Sequence, residues 1–308
     1  MAKKRKQVKN DSLLLVAHGD LDGIVSAVLA SSWSRVKDYR FIRVAFVQPF
    51  TLDEVKVADD EDIIVCDIAV NNRDPQMTID FIRRLGDQLL WWYDHHRGWE
   101  RLEIDDKRFV IDSTAPSCAE VVLGTAQSEG LEPEGYALDL VAAATVADSR
   151  QGELHEWALL VEKALKADLS DDSVREAALE WLRSHETSEC HRDVLETAAE
   201  KYAAIQAETE RLATEYRVTG SVALVDARKS NHQYDLTQLL LAGQKLAPFA
   251  VALVVNPAGQ EGLTIATSRK DVNLVELFRL GSGAPFRVSL PGSRLDEVLE
   301  RLKTLCSY

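Results

Sequence analysis

The length, composition and charge of the sequence exclude several classes of protein. The chain has 308 residues, 46% hydrophobic and 28% charged, so it can bury a core in one large or two medium-sized domains without disulfide bonds. Its formal net charge is −14, from 36 basic and 50 acidic residues. This acidic balance disfavours an extended face that binds duplex nucleic acid through its phosphates.

The cysteines and the apolar runs indicate the compartment. The four cysteines are scattered without a C-x-x-C pair, which argues against a zinc ribbon and against a disulfide framework. No apolar stretch of the sequence approaches the roughly 18 residues of a membrane span. The apolar run that follows the basic start is too short for a signal peptide. We therefore expect a reducing, cytoplasmic compartment and no membrane partner.

The first half of the chain predicts an α/β domain at residues 1–152. Apolar runs typical of buried strands occur at 13–17, 41–47, 62–67, 89–94 and 108–112. Helical stretches separate some of these runs, as in a sheet whose strands are joined by crossover helices. We predict a mostly parallel sheet that is covered on both faces.

The pattern of apolar and charged residues changes twice after this domain. Residues 153–217 combine helical periodicity with dense charge and predict a helical connector. Strand-like runs return from residue 218, so residues 218–308 predict a smaller α/β domain. An apolar stripe along 192–217 would either form a homodimer or cover a sheet, and the pattern leaves both open.

Potential metal ligands follow the predicted strands of the first domain. Eight such residues lie at strand ends or at the end of a small-residue helix: His18, Asp20, Asp22, Asp67, Asp94, His95, His96 and Asp148. Each alone has an ordinary explanation as a cap or turn residue. Ligands collect outside the carboxyl ends of parallel strands, so we expect these groups to converge.

Convergence of these side chains would require cations, because burying several carboxylates together is otherwise prohibitive. Carboxylate oxygens with one or two imidazoles suit Mn²⁺ or Mg²⁺ better than Zn²⁺ or copper. A bridging carboxylate could hold two ions about 3.5–4 Å apart, the spacing of two-metal phosphoryl chemistry.

Four motifs in order, HGDLDG, VCD, DHH and TVAD, resemble those of the DHH phosphoesterases, which include RecJ exonucleases and nanoRNases. The resemblance implies that residues 1–152 form the catalytic metal-binding domain. It also implies a Mn²⁺-dependent phosphodiesterase, in which two metal ions activate a hydroxide that attacks phosphorus.

The same resemblance implies roles for individual residues. The positions that match metal ligands are Asp20, Asp22, Asp67, His95 and Asp148. Among them Asp67 is expected to bridge both ions, and Asp148 to complete the shell of the ion that His95 binds. We expect His96 to face the substrate phosphate or the hydroxide, and Asp94 to orient the histidines. For His18, a ligand role and a supporting role remain equally open.

Residues 218–308 resemble the DHHA1 substrate-binding module of that family. Arg269 falls near its phosphate-gripping arginine, and a glycine-rich loop follows. The candidate substrate-binding residues are Arg269, Gly281, Ser282, Gly283 and Arg287. Ala284 stands where the family has histidine, and Arg287 is the candidate for replacing that phosphate contact.

The acidic balance favours a small anionic substrate, which we expect to be a short single-stranded oligonucleotide or another small nucleotide phosphoester. Cyclic dinucleotides, nucleotide bisphosphates and pyrophosphate stay open. One alternative is a RecJ-type exonuclease, which needs only a local basic funnel. Another is a non-catalytic RecJ-related scaffold, which the retained carboxylates disfavour. Trp99 is a candidate for stacking on a base, whereas Trp91 and Trp92 are expected in the core.

Overall fold

The computed structural model of the chain forms two compact units, Met1–Glu200 and Lys201–Tyr308. The residues that it describes are 10–32, 39–71, 74–149, 152–167, 172–255, 259–280 and 286–305. Within these ranges, no helix has the length and apolar character that crossing a membrane requires.

The first unit contains a five-stranded sheet in which every pairing is parallel. Its strands are β1 (Ser12–His18), β2 (Phe41–Val47), β3 (Glu61–Cys66), β4 (Leu89–Asp94) and β5 (Phe109–Ile111). Their spatial order is β2-β1-β3-β4-β5. The predicted fold class is confirmed, and each predicted strand of this half lies at its predicted place.

Helices cover both faces of this sheet, and β1 shows why. Leu13 and Leu15 belong to the core on one face, while Leu14 and Val16 belong to the core on the other. Successive residues of a strand point to opposite faces, so a strand that is apolar throughout is buried on both. The helices of this part of the chain are α1 (Leu21–Ser32), α2 (Pro75–Leu85), α3 (Cys118–Ser128), α4 (Gly135–Ser149), α5 (Glu156–Ala167), α6 (Asp172–Arg183) and α7 (Glu189–Ala213).

The helical stretch at 153–217 contributes to the core of the first unit. Trp157 of α5 and Trp181 of α6 are buried in the cluster that also contains β1 and α1. Leu195 and Ala198 of α7 belong to the same cluster, so this part of the apolar stripe covers the core. The boundary between the two compact units falls within α7. The division of residues 153–217 into a separate helical connector stays a prediction.

The second unit contains a mixed five-stranded sheet with the order β10-β9-β8-β7-β6. Only β7 and β8 pair in parallel; the other neighbouring strands are antiparallel. In chain order its elements are β6 (Arg217–Thr219), β7 (Val222–Asp226), α8 (Leu236–Gln244), β8 (Phe249–Val255), β9 (Glu261–Thr267), α9 (Leu274–Leu277), β10 (Arg287–Pro291) and α10 (Leu295–Thr304).

Candidate metal centre

The topology of the parallel sheet brings the strand-end residues together. Because β2 and β3 lie on opposite sides of β1, the strand order reverses there, and a crevice forms outside the carboxyl ends of the strands at such a point. His18 is the last residue of β1, Asp67 directly follows β3, and Asp94 is the last residue of β4. Three motifs that are distant in sequence therefore meet at one edge of the sheet.

Asp67 has an unusual backbone conformation at this edge. Its φ angle is 59°, in the left-handed region that costs most residues free energy and that, apart from glycine, Asn and Asp tolerate best. Its N–H donates a hydrogen bond to the carbonyl of Tyr93 (2.9 Å). The side chain is only 4% exposed. Asp67 Oδ1 lies 3.6 Å from His95 Nε2, and Asp67 Oδ2 lies 3.8 Å from His18 Nδ1. The carboxylate thus lies between two imidazoles.

Three carboxylates surround the imidazole of His95. From Nε2, the distances are 3.6 Å to Asp67 Oδ1, 3.7 Å to Asp22 Oδ2 and 3.8 Å to Asp148 Oδ2. The other ring nitrogen, Nδ1, lies 3.3 Å from the carbonyl oxygen of Ala115, which selects the tautomer with its proton on Nδ1. The lone pair of Nε2 then faces the three carboxylates.

This arrangement fits a divalent cation. Among the described residues, Asp67 Oδ1 and His95 Nε2 are buried atoms without a hydrogen-bond partner, a state that is costly unless another group satisfies them. The distances of 3.6–3.8 Å are too long for hydrogen bonds. They suit ligands that each lie about 2.0–2.3 Å from one shared ion. Three carboxylates and one imidazole favour Mn²⁺ or Mg²⁺.

A second group of potential ligands shares Asp67 with the first. The ligand atoms of His18, Asp20 and Asp67 lie within 4.8 Å of one another, as do those of Asp67, Asp94, His95 and His96. His18 Nδ1 lies 2.9 Å from Asp20 Oδ2. His18 Nε2 lies 2.9 Å from Oε1 of Gln48, which can accept a hydrogen bond from Nε2–H and so leave the lone pair of Nδ1 facing the carboxylates. Sequence reasoning missed Gln48, because a glutamine after a strand carries no pattern.

Asp22 is held by the first turn of α3. Its Oδ2 accepts the N–H of Cys118 (2.7 Å), and its Oδ1 accepts the N–H of Ala119 (3.0 Å). The helix N-terminus stabilises the carboxylate, yet burial and the charge of Asp20 raise the pKa of Asp22 to about 7. Burial also raises the pKa of Asp67 well above its usual range, with Asp22 adding to the effect. Such elevated pKa values measure the cost of crowding carboxylates that a cation would offset.

Asp94 orients the two histidines that follow it. Its Oδ1 accepts the N–H of His95 (2.8 Å) and contacts Nδ1 of His96 (2.7 Å), and its Oδ2 accepts the indole N–H of Trp99. Burial would raise the pKa of Asp94, but the adjacent His96 lowers it overall. Burial likewise opposes protonation of His96, and Asp94 more than compensates, raising the pKa of His96 to about 9. Trp99 is buried, so it is not exposed for stacking on a base.

The predicted substrate-binding residues lie in the second unit. Arg269 donates to the carboxylate of Asp271 from Nε (3.0 Å) and from Nη2. Arg287 donates from Nη1 to Oγ1 of Thr237 (3.0 Å). The predicted glycine loop, Gly281, Ser282 and Gly283, lies outside the described residues, as does Ala284. The roles assigned to these residues stay predictions.

Comparisons with known proteins identify the fold. No protein-family model and no curated protein matches the sequence. Among solved structures, the pGpG-specific phosphodiesterase PggH from Vibrio cholerae matches with a TM-score of 0.60 at 16% identity, over 96% of this chain and 98% of that one. Exonuclease RecJ bound to manganese matches with a TM-score of 0.62 at 12% identity, over 96% and 90%. CDC45 from Entamoeba histolytica reaches 0.51 at 10% identity, over 96% and 95%.

The fold and the order of the motifs agree. The chain has the fold of the PggH and RecJ structures, as the predicted resemblance implies. A cluster able to hold a metal ion stands where the first three motifs meet, and Asp148 of the fourth motif lies 3.8 Å from His95.

Proposed function

We propose that this protein is a metal-dependent phosphoesterase that hydrolyses short oligonucleotides or other small nucleotide phosphoesters. One observation carries the proposal. Two buried polar atoms without partners among the described residues, Asp67 Oδ1 and His95 Nε2, face each other at 3.6 Å, and carboxylates from two other motifs lie around them. Assembling this cluster is costly unless a cation offsets its charge.

The two groups of ligands define two proposed ion sites. One consists of His95, Asp22, Asp67 and Asp148, and the other of His18, Asp20 and Asp67. Asp67 bridges them, as its position between two imidazoles supports. The contact with Gln48 supports the ligand role of His18, since it leaves Nδ1 for the ion. We propose Mn²⁺ at both sites, with Mg²⁺ as the alternative, and the manganese-bound RecJ structure supports this choice.

The residues around the proposed ion sites then have separate roles in the reaction. Bound divalent cations supply an acidified water and neutralise charge on the phosphoryl oxygens. His96, whose side chain is 44% exposed, faces the substrate and donates a hydrogen bond to a phosphoryl oxygen as charge develops there. Asp94 fixes the ring of His96 through Nδ1 and favours its protonated form. Trp99 donates its indole N–H to the other oxygen of Asp94 and so helps to hold this carboxylate in place.

The charge of the chain and its structural relatives bear on the size of the substrate. The acidic balance of the chain and the likeness to a pGpG-specific phosphodiesterase support a small nucleotide. The likeness to RecJ favours a second candidate, an exonuclease on single strands.

A panel of phosphoesters with Mn²⁺ tests the proposal. The panel contains a labelled dinucleotide, a pentanucleotide, a long single strand as DNA and as RNA, cyclic dinucleotides, a nucleotide bisphosphate and pyrophosphate. We expect kcat/KM to be higher for the dinucleotide and the pentanucleotide than for the long strand. Asp67→Asn should abolish turnover, while Asp80→Asn, an exposed carboxylate on α2, should not change it. A protein that binds Mn²⁺ and cleaves none of these compounds would be the RecJ-related scaffold instead.

A further inference from the structure

The chain leaves β2 through a short turn, residues 48–51, that displays an aromatic ring. Phe50 is 63% exposed and is the most exposed large apolar side chain among the described residues. Single exposed apolar residues are common on protein surfaces and need no explanation by themselves. The structure of this turn and its position are what set Phe50 apart.

The turn is held closed by its own hydrogen bonds. Thr51 N–H donates to the carbonyl of Gln48 (2.9 Å), and Gln48 N–H donates to Oγ1 of Thr51 (3.0 Å). Pro49 restrains the backbone at the second position of the turn, which suits a β-turn. The direction in which Phe50 leaves the backbone is therefore fixed before any ligand arrives.

The same turn is attached to the metal centre. Oε1 of Gln48 lies 2.9 Å from Nε2 of His18, and the strand register pairs His18 with Val47, the residue before the turn. Phe50 lies two residues after Gln48 in this turn, and Gln48 contacts the predicted ligand His18, so the turn places an exposed ring next to the candidate metal centre along the chain. Trp92, Tyr93 and Trp99, which flank the DHH triplet in sequence, are buried.

We propose that Phe50 stacks on a nucleobase of the substrate while the metal centre binds the adjacent phosphate. This inference rests on the proposed function and narrows it to phosphoesters that carry a base, as against pyrophosphate and other base-free compounds. Every base has a π-face, so stacking on a phenyl ring tolerates any base. Phe50 therefore selects the class of substrate and not its sequence.

Kinetics with a matched pair of substrates test the proposal. One substrate is a dinucleotide, and the other is the same phosphodiester with both bases replaced by hydrogen. For Phe50→Ala we expect KM for the dinucleotide to rise roughly tenfold or more, the loss typical of one base–aromatic stack, with little change in kcat. Kinetics on the base-free analogue should stay the same. Phe50→Trp, which keeps an aromatic ring at this position, should have the low KM of the unmodified protein.

Phe41 provides the control, because it is 57% exposed but begins β2 at the opposite end of the strand. Phe41→Ala should leave the kinetics of both substrates unchanged. Both positions are exposed, so neither substitution is expected to disturb folding, and circular dichroism checks this. If Phe50→Ala raises KM equally for the two substrates, or for neither, the stacking role is overturned. The proposed phosphoesterase activity would not be affected by that result.

A binding measurement separates this inference from the proposed function. If the unmodified protein cleaves no compound of the phosphoester panel, the proposed function fails, and a dinucleotide containing 2-aminopurine is titrated with the protein in the presence of Mn²⁺. Quenching of its fluorescence that Phe50→Ala abolishes and Phe41→Ala retains would support stacking. Quenching that is absent, or equal in all three proteins, would overturn it.

Discussion

At Asp67, the φ angle of 59° and a buried carboxylate occur at the same residue. Strain of this kind persists where the surrounding structure fixes it, as at functional sites. The carboxylate also lies among other acidic groups, and its pKa is raised well above the usual range by burial and by the charges of Asp22 and Asp20. Asp67 therefore destabilises the metal-free protein, and a bound cation would offset this cost.

The substitution Asp67→Asn should separate these two effects. Without Mn²⁺ we expect the melting temperature to rise, by roughly 2–4 °C for each kcal/mol of repulsion that is relieved. With Mn²⁺ we expect the metal-induced stabilisation to disappear, since the shared ligand is lost. Thermal unfolding in EDTA and in Mn²⁺ measures both, with Asp80→Asn as the exposed control. A variant that still gains stability from Mn²⁺ would show that Asp67 is not a ligand.

The pH dependence of the metal-free protein follows from Asp22 and the histidines. Burial raises the pKa of Asp22 to about 7, so between its unfolded value of about 3.9 and pH 7 the folded state binds more protons than the unfolded state. Stability must then fall as pH rises through this window. Burial lowers the pKa of His18 and of His96, but the carboxylate of Asp20 outweighs burial at His18, and that of Asp94 outweighs it at His96. Both pKa values rise to about 9. The stability that the protonated histidines contribute is therefore lost between about pH 6.5 and 9.

The free energy of unfolding in EDTA should therefore decrease from pH 5 to pH 9, and chemical denaturation at several pH values measures it. Saturating Mn²⁺ should remove most of this decrease, because cations compete with protons for the same groups. A metal-free protein whose stability is flat or rises over this range would contradict the crowding of carboxylates described above.

At the scale of elements, α6 packs against the loop that joins β1 to α1. Arg175 of α6 is 9% exposed and donates from Nε to the carbonyl of Gly19 (3.3 Å). A Cβ atom at Gly19 would lie 2.3 Å from Nε of Arg175, which is closer than two non-bonded atoms can approach without a shift of one of them. Since Gly19 lies between His18 and Asp20, a shift of this loop would move both predicted ligands.

Gly19→Ala should accordingly weaken Mn²⁺ binding, measured by calorimetry, and the double variant with Arg175→Ala should recover part of the loss. The coupling free energy between contacting sites of this kind is typically 0.5–3 kcal/mol. Gly124→Ala on α3 is the control, because a Cβ there meets nothing within 4 Å; it should leave binding unchanged. Additive losses in the double variant would exclude the contact as the cause.

The limits of sequence-based prediction also show at this scale. The strand at 89–94 was predictable because its apolar run is continuous and ends in a charged triplet, and β4 spans those residues. The strands β6 and β10 were not, since Arg217–Thr219 is exposed throughout and Arg287–Pro291 ends in proline. The hydrogen bonds from Cys118 and Ala119 to Asp22 span 96 and 97 residues. Such contacts depend on the strand order, which no local pattern contains.

At the scale of the whole molecule, the net charge of −14 bears on the length of the substrate. A small nucleotide brings few charges, which cations bound at the candidate metal centre would neutralise. A long strand adds many phosphates that the surrounding acidic protein repels unless a basic track receives them. The two candidate functions therefore differ in how salt acts on the longer substrate.

For a small-nucleotide phosphoesterase, KM for a long single strand should stay level or fall as salt increases, because salt screens repulsion. For a RecJ-type exonuclease with a basic track, affinity should fall by about 0.7 log unit per contacted phosphate for each tenfold rise in salt. Initial rates at several KCl concentrations, with Mn²⁺ held saturating and the dinucleotide as internal control, distinguish the two. A steep rise of KM for the long strand alone would mean that a local basic path outweighs the charge of the chain, and the exonuclease would then be the better description.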